Sequence, residues 1–397
     1  MKKKILIFSL TDLNMDSRVR RQIEALENDF EIIVSAINPD KSERTFIPVK
    51  SQKFYKLNFR LLIRVLFYPL AWMAGKIGWG RFRNSFFFLL RYWSVEKVDL
   101  FNRLHKLDFD LIIANDYDTW PLAAKLKKRK NIPVVFDAHE YYPKQFEYNS
   151  LWIRDFQPYV FFICKKFIGQ CDLFLTVSEG ISEEYRKSFG VKPLLISNAV
   201  GFFKELKPSP IKKKNIRIVH HGAAVKGRRI ESMMEVAEKT GDGFAFDFYL
   251  VPLQKKYYEK LVETGKKINN VNVYPALPYN KLITTLNQYD LGIFLLHPNS
   301  FNHHYVLPNK FFEYIQARLA IAIGPSPEMK RIVEKYDLGI VSENFSPDSM
   351  ANALKKLTVE KLAFYKNNTH TAASILCAEK NQVLLKKEIV KLIAPDA

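Results

Sequence analysis

The chain has 397 residues, enough for two domains of ordinary size, and is 48% hydrophobic and 26% charged, as in globular proteins. The net charge of +20 predicts attraction to anions such as nucleic acid, acidic lipid or phosphorylated substrates. Three cysteines exclude a paired disulfide framework, have no metal-ligand spacing and fit a reducing compartment. We expect no transmembrane segment, because no uncharged apolar run reaches the roughly 20 residues that a spanning helix needs.

The first half of the chain predicts a doubly wound α/β domain. A strand at Lys4–Leu10, a helix at Ser17–Leu26 and a strand at Phe30–Ala36 open it. The N-terminal apolar run ends after Leu10, so we favour a strand over a signal peptide. The first strand–helix loop lacks G-x-G-x-x-G, which gives an NAD-binding function no support. A single aromatic-rich helix is predicted at Leu151–Gly169.

Polar side chains follow the strands of this half. Asp116 comes after the strand that ends at Ala114, and His139 and Glu140 follow the strand that ends at Asp137. Open α/β sheets bind ligands at such strand ends, so these residues are candidates for a ligand crevice. Arg18, in the first turn of the first helix, is a candidate anion contact. The alternatives are a structural loop histidine and a solvated basic helix face.

The segment 53–93 is unusual in charge. Between Glu43 and Glu96 there is no carboxylate but ten Lys or Arg, interleaved with aromatic residues in runs too short to span a bilayer. Each basic residue near an anionic leaflet contributes on the order of 1 kcal/mol. We therefore predict that this segment docks on an anionic membrane surface. An internal helical hairpin is the alternative; nucleic-acid binding is disfavoured because no binding motif accompanies the charge.

The second half repeats the α/β pattern after a segment rich in prolines and charge. The loop His221–Arg229, between a predicted strand and the predicted helix Ile230–Lys239, carries Lys226 and Arg228 and suits a diphosphate. Ser326 is predicted to cap a helix, with Pro327 at its first position. The predicted domains are 1–202, a linker at 203–214, 215–360, and a C-terminal helix within 361–397 that crosses back to the first domain.

The segment Leu307–Gly324, LPNKFFEYIQARLAIAIG, predicts a helix that begins near Pro308, then a buried strand at Ala320–Ile323. Lys310 and Glu313 are three residues apart, so both project from one side near the helix start. The helix amides and the lysine would take phosphate, and the carboxylate would take ribose hydroxyls. An ordinary surface helix with both side chains solvated is the alternative.

Together these motifs resemble the GT-B glycosyltransferases of the large retaining family 4, of the surface-polysaccharide type. LPNKFFEY followed by AIAIGPSPEMKRIV resembles the donor-binding region, and HHGAAVKGRRIE the phosphate loop. MDSRVRRQIEAL, DAHEYYP, CDLFLTVSEGISEEY and SNAV resemble pieces of the N-terminal domain. The resemblance covers nearly the whole chain except about 53–93. It implies an α/β fold of two Rossmann-like doubly wound domains with a cleft between them.

The resemblance also implies a donor site. Glu313 would bind the ribose hydroxyls of the nucleotide. Lys310, with Lys226 and Arg228, would neutralise the diphosphate, which is also the leaving group. Since such cations and helix-end amides can stabilise that charge, we expect that no metal or other cofactor is required.

The remaining site residues follow from the same resemblance and from their positions at strand ends. Leu307 and Asn309 would line the nucleotide-sugar pocket. His139 would lie near the sugar and the acceptor as the catalytic candidate. We assign three further polar residues to the acceptor side: Arg18, Asp116 and Glu140.

The chain departs from the family pattern at Tyr305. The usual motif has two glutamates separated by seven residues, and counting back from Glu313 reaches this tyrosine. The first glutamate of the motif normally approaches the donor sugar. The sugar therefore stays open, and Tyr305 is the position to probe for sugar choice.

These observations predict a cytoplasmic glycosyltransferase, peripheral on the inner face of the cell membrane. It would move a sugar from a nucleotide diphosphate sugar to a lipid-linked or polysaccharide acceptor, with retention, and would bind no nucleic acid. A nucleotide-sugar 2-epimerase of the same fold and a binding-only relative are the alternatives. The base, sugar, acceptor and oligomeric state stay open.

Overall fold

The structure is a computed structural model that describes residues 2–14, 16–38, 45–49, 92–211 and 215–394. The segment 53–93, for which we predict membrane docking, lies outside the described residues except for residues 92 and 93. The chain forms two compact units. Unit 1 comprises Met1–Thr176, Ser182–Leu195 and Leu384–Ala397, and unit 2 comprises Val177–Ile181 and Ile196–Val383.

Unit 1 is built on a parallel sheet whose described strands number seven, in the order β3-β2-β1-β4-β5-β6-β7. The central strands are near-continuous apolar runs, as expected for strands covered on both faces. The strands are β1 Lys4–Asp12, β2 Glu31–Ile37, β3 Thr45–Pro48, β4 Leu111–Asn115, β5 Val134–Ala138, β6 Leu173–Thr176 and β7 Leu194–Leu195.

Helices connect these strands. The first is capped by Asp16, whose carboxylate accepts hydrogen bonds from the amides of Arg18 and Val19. The helices are α1 Ser17–Leu26, α2 Val95–His105, α3 Trp120–Lys130, α4 Ser150–Asp155, α5 Gln157–Phe167 and α6 Glu179–Phe189.

Unit 2 contains a parallel sheet of six described strands in the order β10-β9-β8-β11-β12-β13. Apolar clusters of buried side chains pack on the strands. The strands are β8 Ile216–Ala223, β9 Phe244–Val251, β10 Val271–Pro275, β11 Leu291–Phe294, β12 Ala320–Ile323 and β13 Gly339–Val341.

The helices that follow β7 alternate with these strands and then close the chain. They are α7 Glu231–Thr240, α8 Lys255–Gly265, α9 Tyr279–Leu286, α10 Phe301–His304, α11 Asn309–Gln316, α12 Pro327–Tyr336, α13 Pro347–Lys355, α14 Val359–Ala373 and α15 Ala378–Ile393. With the sheet of unit 1, they confirm the predicted pair of doubly wound α/β sheets. The predicted domain boundaries stay predictions, although Leu206 of the proposed linker packs against the core of unit 2.

Two local predictions are wrong. The single helix predicted at Leu151–Gly169 is broken at Phe156 (φ −119°), because Pro158 has no amide hydrogen and its ring would clash with the carbonyl of Arg154. Ser326 precedes α12 as predicted, but makes no side-chain cap. Its hydroxyl donates to the carbonyl of His304 instead, at 3.1 Å.

Arg318 fixes the end of α11. Its backbone is left-handed (φ 62°) and its side chain is fully buried. The guanidinium donates to the carbonyls of Gln316 and Phe203, each at 2.7 Å, and to His370 Nδ1 at 3.0 Å. A cation at the last carbonyls of a helix satisfies acceptors that the helix leaves unpaired, and its charge interacts favourably with the negative end of the helix dipole. This holds α11 firmly in the core of unit 2.

Candidate functional site

The first cluster of candidate residues forms where β8 ends beside α11. Pro308 precedes α11 with extended backbone and provides no side-chain cap. Lys310 and Glu313 lie on the same side of the helix, as predicted, but each is only 7% exposed. The alternative of two solvated side chains is therefore wrong. Burial of a charged pair is costly unless other groups compensate, which marks this helix start as a candidate ligand site.

Lys310 is held among three groups. Its Nζ lies 3.4 Å from His220 Nε2 and 4.6 Å from the centroid of the Phe294 ring. A Cβ added to Gly222 would lie 2.9 Å from that Nζ, and Gly222 has φ 135°, so glycine is required here twice over. Burial lowers the pKa of Lys310 well below its usual value, and Arg228 adds to the effect. A bound anion would stabilise the charged form of Lys310 and so offset the effects of burial and of Arg228 on its pKa.

Arg228 is the second cation beside Gly222. A Cβ at Gly222 would lie 3.5 Å from Arg228 NH1, which is 3.4 Å from the Ala223 carbonyl oxygen. Burial lowers the pKa of the guanidinium. Two partly desolvated cations around one glycine form a suitable cradle for a diphosphate. Lys226, in contrast, is exposed at the start of a 3-10 turn, Lys226–Arg228.

Glu313 faces a neutral histidine. Its Oε2 lies 3.3 Å from His221 Nε2, yet burial keeps the pKa of His221 well below its usual value. The pair is therefore a polar contact rather than a salt bridge. His221 Nε2 is buried and has no hydrogen-bond partner among the described residues. Buried polar atoms are nearly always satisfied, so a ligand hydroxyl is a natural partner for this nitrogen.

Three backbone amides of the loop before α7 already have hydrogen-bond partners. The amides of Arg228 and Arg229 donate to the carbonyls of Val225 and Lys226, at 2.9 and 3.1 Å. The amide of Ile230 donates to the Tyr257 hydroxyl at 2.9 Å. These three amides are therefore not available to a phosphate, and the predicted role of this loop in diphosphate binding rests on Arg228 and Lys226.

The other donor-side candidates have structural contacts of their own. Leu307 packs in the core of unit 2, and its carbonyl accepts a hydrogen bond from Asn198 at 3.2 Å. Asn309 is the first residue of α11. Tyr305 packs its ring directly on Gly180 and lies 4.8 Å from the Phe301 ring. Contacts of these three residues with a donor stay predictions.

A second cluster lies at the carboxyl ends of β4 and β5 in unit 1. Arg18 donates to both oxygens of Asp137 at 2.7 Å, and the two side chains are 6% and 0% exposed. Gln22 donates to the same carboxylate and exchanges two hydrogen bonds with Asn115. Burial opposes ionisation of Asp137, but Arg18, His139 and Gln22 together outweigh it and lower the pKa of the carboxyl. A solvated basic face is thus the wrong interpretation of Arg18.

His139 lies between two carboxylates. Its Nδ1 is 3.7 Å from Asp116 Oδ1, and its Nε2 is 3.9 Å from Asp137 Oδ2. The Tyr142 hydroxyl accepts from the His139 amide and donates to Asp116, whose backbone is left-handed (φ 66°). His139 Nε2 is buried without a hydrogen-bond partner among the described residues. The imidazole is therefore oriented by acids and has an unused nitrogen, as a group that moves a proton requires.

Burial shifts the pKa of the two acids next to His139 in the opposite direction from that of Asp137. It raises the pKa of Asp116 and also that of Glu140, while the charge of His139 partly opposes both effects. The structure thus groups the predicted residues Arg18, Asp116 and His139 around Asp137. The motif DAHEYYP contains Asp137 but predicts no role for it. Gln22 was not predicted either, although its spacing of four residues from Arg18 places both side chains on one face of the helix.

Neither a metal site nor a membrane span is found in the part of the chain that the structure describes. No group of three or more His, Cys, Asp or Glu side chains there could hold a metal ion. None of the described helices combines the length and apolar character needed to cross a bilayer. The expectation that no metal is required stays a prediction.

Comparisons with known proteins agree with this architecture. Residues 79–200 match the family model described as Glycosyltransferase Family 4. No curated protein sequence matches the chain. HepE from Anabaena, solved in complex with UDP and glucose, is similar in structure: 12% identity, TM-score 0.71, covering 98% of this chain and 100% of that one.

Two other solved structures extend the likeness. Sucrose-phosphate synthase from Thermosynechococcus elongatus has 13% identity and a TM-score of 0.73, with both chains covered completely. WaaG, a glycosyltransferase involved in lipopolysaccharide biosynthesis, has 13% identity and a TM-score of 0.63, covering 98% of this chain and 99% of that one. The chain therefore has the GT-B fold. The resemblance to GT-B glycosyltransferases of family 4 that its motifs predict is confirmed.

Proposed function

We propose that this protein is a glycosyltransferase that moves a hexosyl group from a nucleotide diphosphate sugar to a lipid-linked or polysaccharide acceptor, with retention. The observation that carries this proposal is the placement of Lys310 and Arg228 beside Gly222, with the buried Glu313 on the same side of the helix as Lys310. Two desolvated cations suit the diphosphate. A buried carboxylate next to a neutral histidine suits the ribose hydroxyls.

The chemistry follows from charge. When the bond between the sugar and the diphosphate breaks, negative charge grows on the departing phosphate. Lys310 and Arg228 are already desolvated and in place, so they stabilise this charge without reorganisation. We propose that the departing phosphate assists deprotonation of the acceptor hydroxyl, and that no metal or other cofactor takes part. His139, between Asp116 and Asp137, is proposed to contact the sugar and the acceptor.

Uridine diphosphate sugars are the first donors to test. Several similar structures were solved with UDP or UDP-glucose, although their identity to this chain is near 12%. Tyr305, in the place of the usual first glutamate, is where we expect the choice of sugar to differ from the family pattern. A panel of different sugars on uridine diphosphate therefore tests both the proposed nucleotide and the choice of sugar.

A lipid-linked acceptor would be met at the membrane surface. We propose that the protein is cytoplasmic and peripheral on the inner face of the cell membrane, and that the segment 53–93 contributes to docking. Support comes from α4, none of whose residues is buried although it carries Leu151, Trp152 and Ile153. The net charge of +20 favours an anionic leaflet.

Release of nucleotide from a donor panel, with and without a membrane extract, tests the proposed activity. A glycosyltransferase should release nucleoside diphosphate only when an acceptor is present. Conversion of the donor into its 2-epimer without acceptor would indicate the nucleotide-sugar 2-epimerase. Donor binding without turnover under either condition would indicate a binding-only protein, and no donor binding would overturn the proposal altogether.

A further inference from the structure

His220 lies behind Lys310, at the end of β8, and takes no part in the proposed contacts with a donor. It is 1% exposed. Its ring stacks on Phe294, with centroids 6.2 Å apart and planes 13° apart, and lies 5.9 Å from the Phe248 ring. These aromatic neighbours fix the plane of the imidazole, so its two nitrogens point in fixed directions.

The hydrogen bonds of His220 define its tautomer. Nδ1 lies 3.0 Å from the carbonyl oxygen of Ile293, and a carbonyl can only accept, so Nδ1 carries the hydrogen. Burial lowers the pKa of His220 well below its usual value, and Lys310 adds to the effect, so the ring is neutral. Nε2 therefore presents a lone pair to the Lys310 ammonium 3.4 Å away.

We propose that His220 is a positioning residue for Lys310: its Nε2 accepts a hydrogen bond that keeps the ammonium charged and directed at Gly222, where a donor diphosphate binds. This inference rests on the proposed function. The Phe294 ring and the backbone at Gly222 both lie close to the ammonium and restrict other directions of the Lys310 side chain. The histidine acts through Lys310 and has no contact with the reacting atoms.

The charges around Lys310 explain why its ammonium needs a hydrogen-bond acceptor. The groups that face it are Glu313 on its own helix, His220 and His221 on β8, and Arg228 on the adjoining turn. Arg228 opposes the ammonium and Glu313 favours it. Both histidines are neutral, so the lone pair of His220 adds to the stabilisation that Glu313 provides. Without that lone pair, Lys310 would lose its proton at lower pH.

His220→Phe and His220→Gln test the inference together. Phenylalanine keeps the stacked ring but removes the acceptor, whereas the glutamine amide oxygen can replace Nε2. We expect His220→Phe to weaken UDP binding about tenfold at pH 8 and to shift the loss of affinity with rising pH to lower pH. His220→Gln should retain most of the UDP affinity and most of the wild-type pH dependence. Titration calorimetry between pH 6 and 9 measures these effects.

Tyr314→Phe is the matched control, since the Tyr314 hydroxyl donates to the same Ile293 carbonyl at 3.2 Å but does not reach the lysine. It should leave the pH midpoint unchanged. If His220→Phe binds UDP with the wild-type pH profile, this inference is overturned, while the proposed function survives. If wild-type protein binds no nucleoside diphosphate, the proposed function itself fails.

The wild-type protein allows a measurement that does not depend on folding of the variants. Long-range ¹H–¹⁵N correlation spectra of the histidine rings distinguish the tautomers. We expect the His220 signals to show hydrogen on Nδ1 and a lone pair on Nε2. A ring with its hydrogen on Nε2, or a charged ring at pH 7, would overturn the inference.

Discussion

At the scale of single residues, the ionisation of the buried polar groups in both clusters depends on the hydrogen-bond partners and charges next to them. Asp137 has a guanidinium and an amide donor, whereas Asp116 has a tyrosine hydroxyl and a histidine at 3.7 Å. Two carboxyls next to the same histidine therefore shift in opposite directions: the pKa of Asp137 is lowered and that of Asp116 is raised. Such a separation is how a site keeps one acid as an anion and prepares another for proton exchange.

Asp137→Asn should lower the free energy of unfolding by about 3–5 kcal/mol, because it leaves the Arg18 guanidinium buried without a counter-ion. Urea denaturation at pH 7 measures this. Asp155→Asn is a matched control, since Asp155 pairs with an exposed arginine, and should cost about 1 kcal/mol or less. Equal losses in the two variants would contradict our account of the Arg18–Asp137 pair.

The ionisation of Asp137 also predicts how stability depends on pH. Its folded-state pKa lies below the ordinary value of 3.8, so its contribution is complete above that value and is lost as the pH falls further. Asp137→Asn should therefore be least harmful in strong acid.

Asp116→Asn should have the opposite effect on stability. The raised pKa of Asp116 means that its charged form is disfavoured in the folded protein, so its contribution is present below pH 3.8 and lost as the pH rises through the folded-state value. The asparagine variant should gain about 1 kcal/mol at pH 7. That gain should disappear near pH 3, and turnover should fall. Loss of stability at pH 7 would contradict this interpretation of the acid.

At the scale of helices and strands, the periodicity of apolar residues predicted the elements well. Ser17–Leu26 and Ala320–Ile323 are found at the residues that the patterns give. The helix Lys255–Gly265 was missed, because only Leu261 and Gly265 of it are buried and the apolar signal is weak. The side chain of Lys310 shows a second limit: sequence patterns treat charged residues as exposed, and only tertiary packing decides otherwise.

The surface helix α4 leads to a test of membrane docking. We expect the protein to bind vesicles that contain anionic lipid at low salt and to be released as salt rises, because screening weakens attraction to the leaflet. Leu151→Ser should weaken this binding. Leu253→Ser in unit 2 removes a leucine that is also 61% exposed and should have no effect. Equal effects of the two substitutions, or no vesicle binding at low salt, would contradict the proposal.

At the scale of the whole molecule, alternation of strand and helix patterns was sufficient to predict two doubly wound sheets. The motifs then indicated the family resemblance and most of the charged residues that the structure brings together in the two clusters. They could not reveal the partners of those residues, such as Asp137 for Arg18 or His220 for Lys310, which are far apart in sequence. Long-range contacts of this kind depend on the order of strands in each sheet, which periodicity does not contain.

The affinity of the chain for a nucleoside diphosphate tests the central claim most directly. We would measure the Kd of UDP by titration calorimetry for wild type, Lys310→Met and Glu313→Gln, with Tyr314→Phe as the control. We predict at least tenfold weaker binding in the first two variants, because each removes a charge that is desolvated before the ligand arrives. Unchanged affinity in both variants would contradict the assignment of α11 as the donor site.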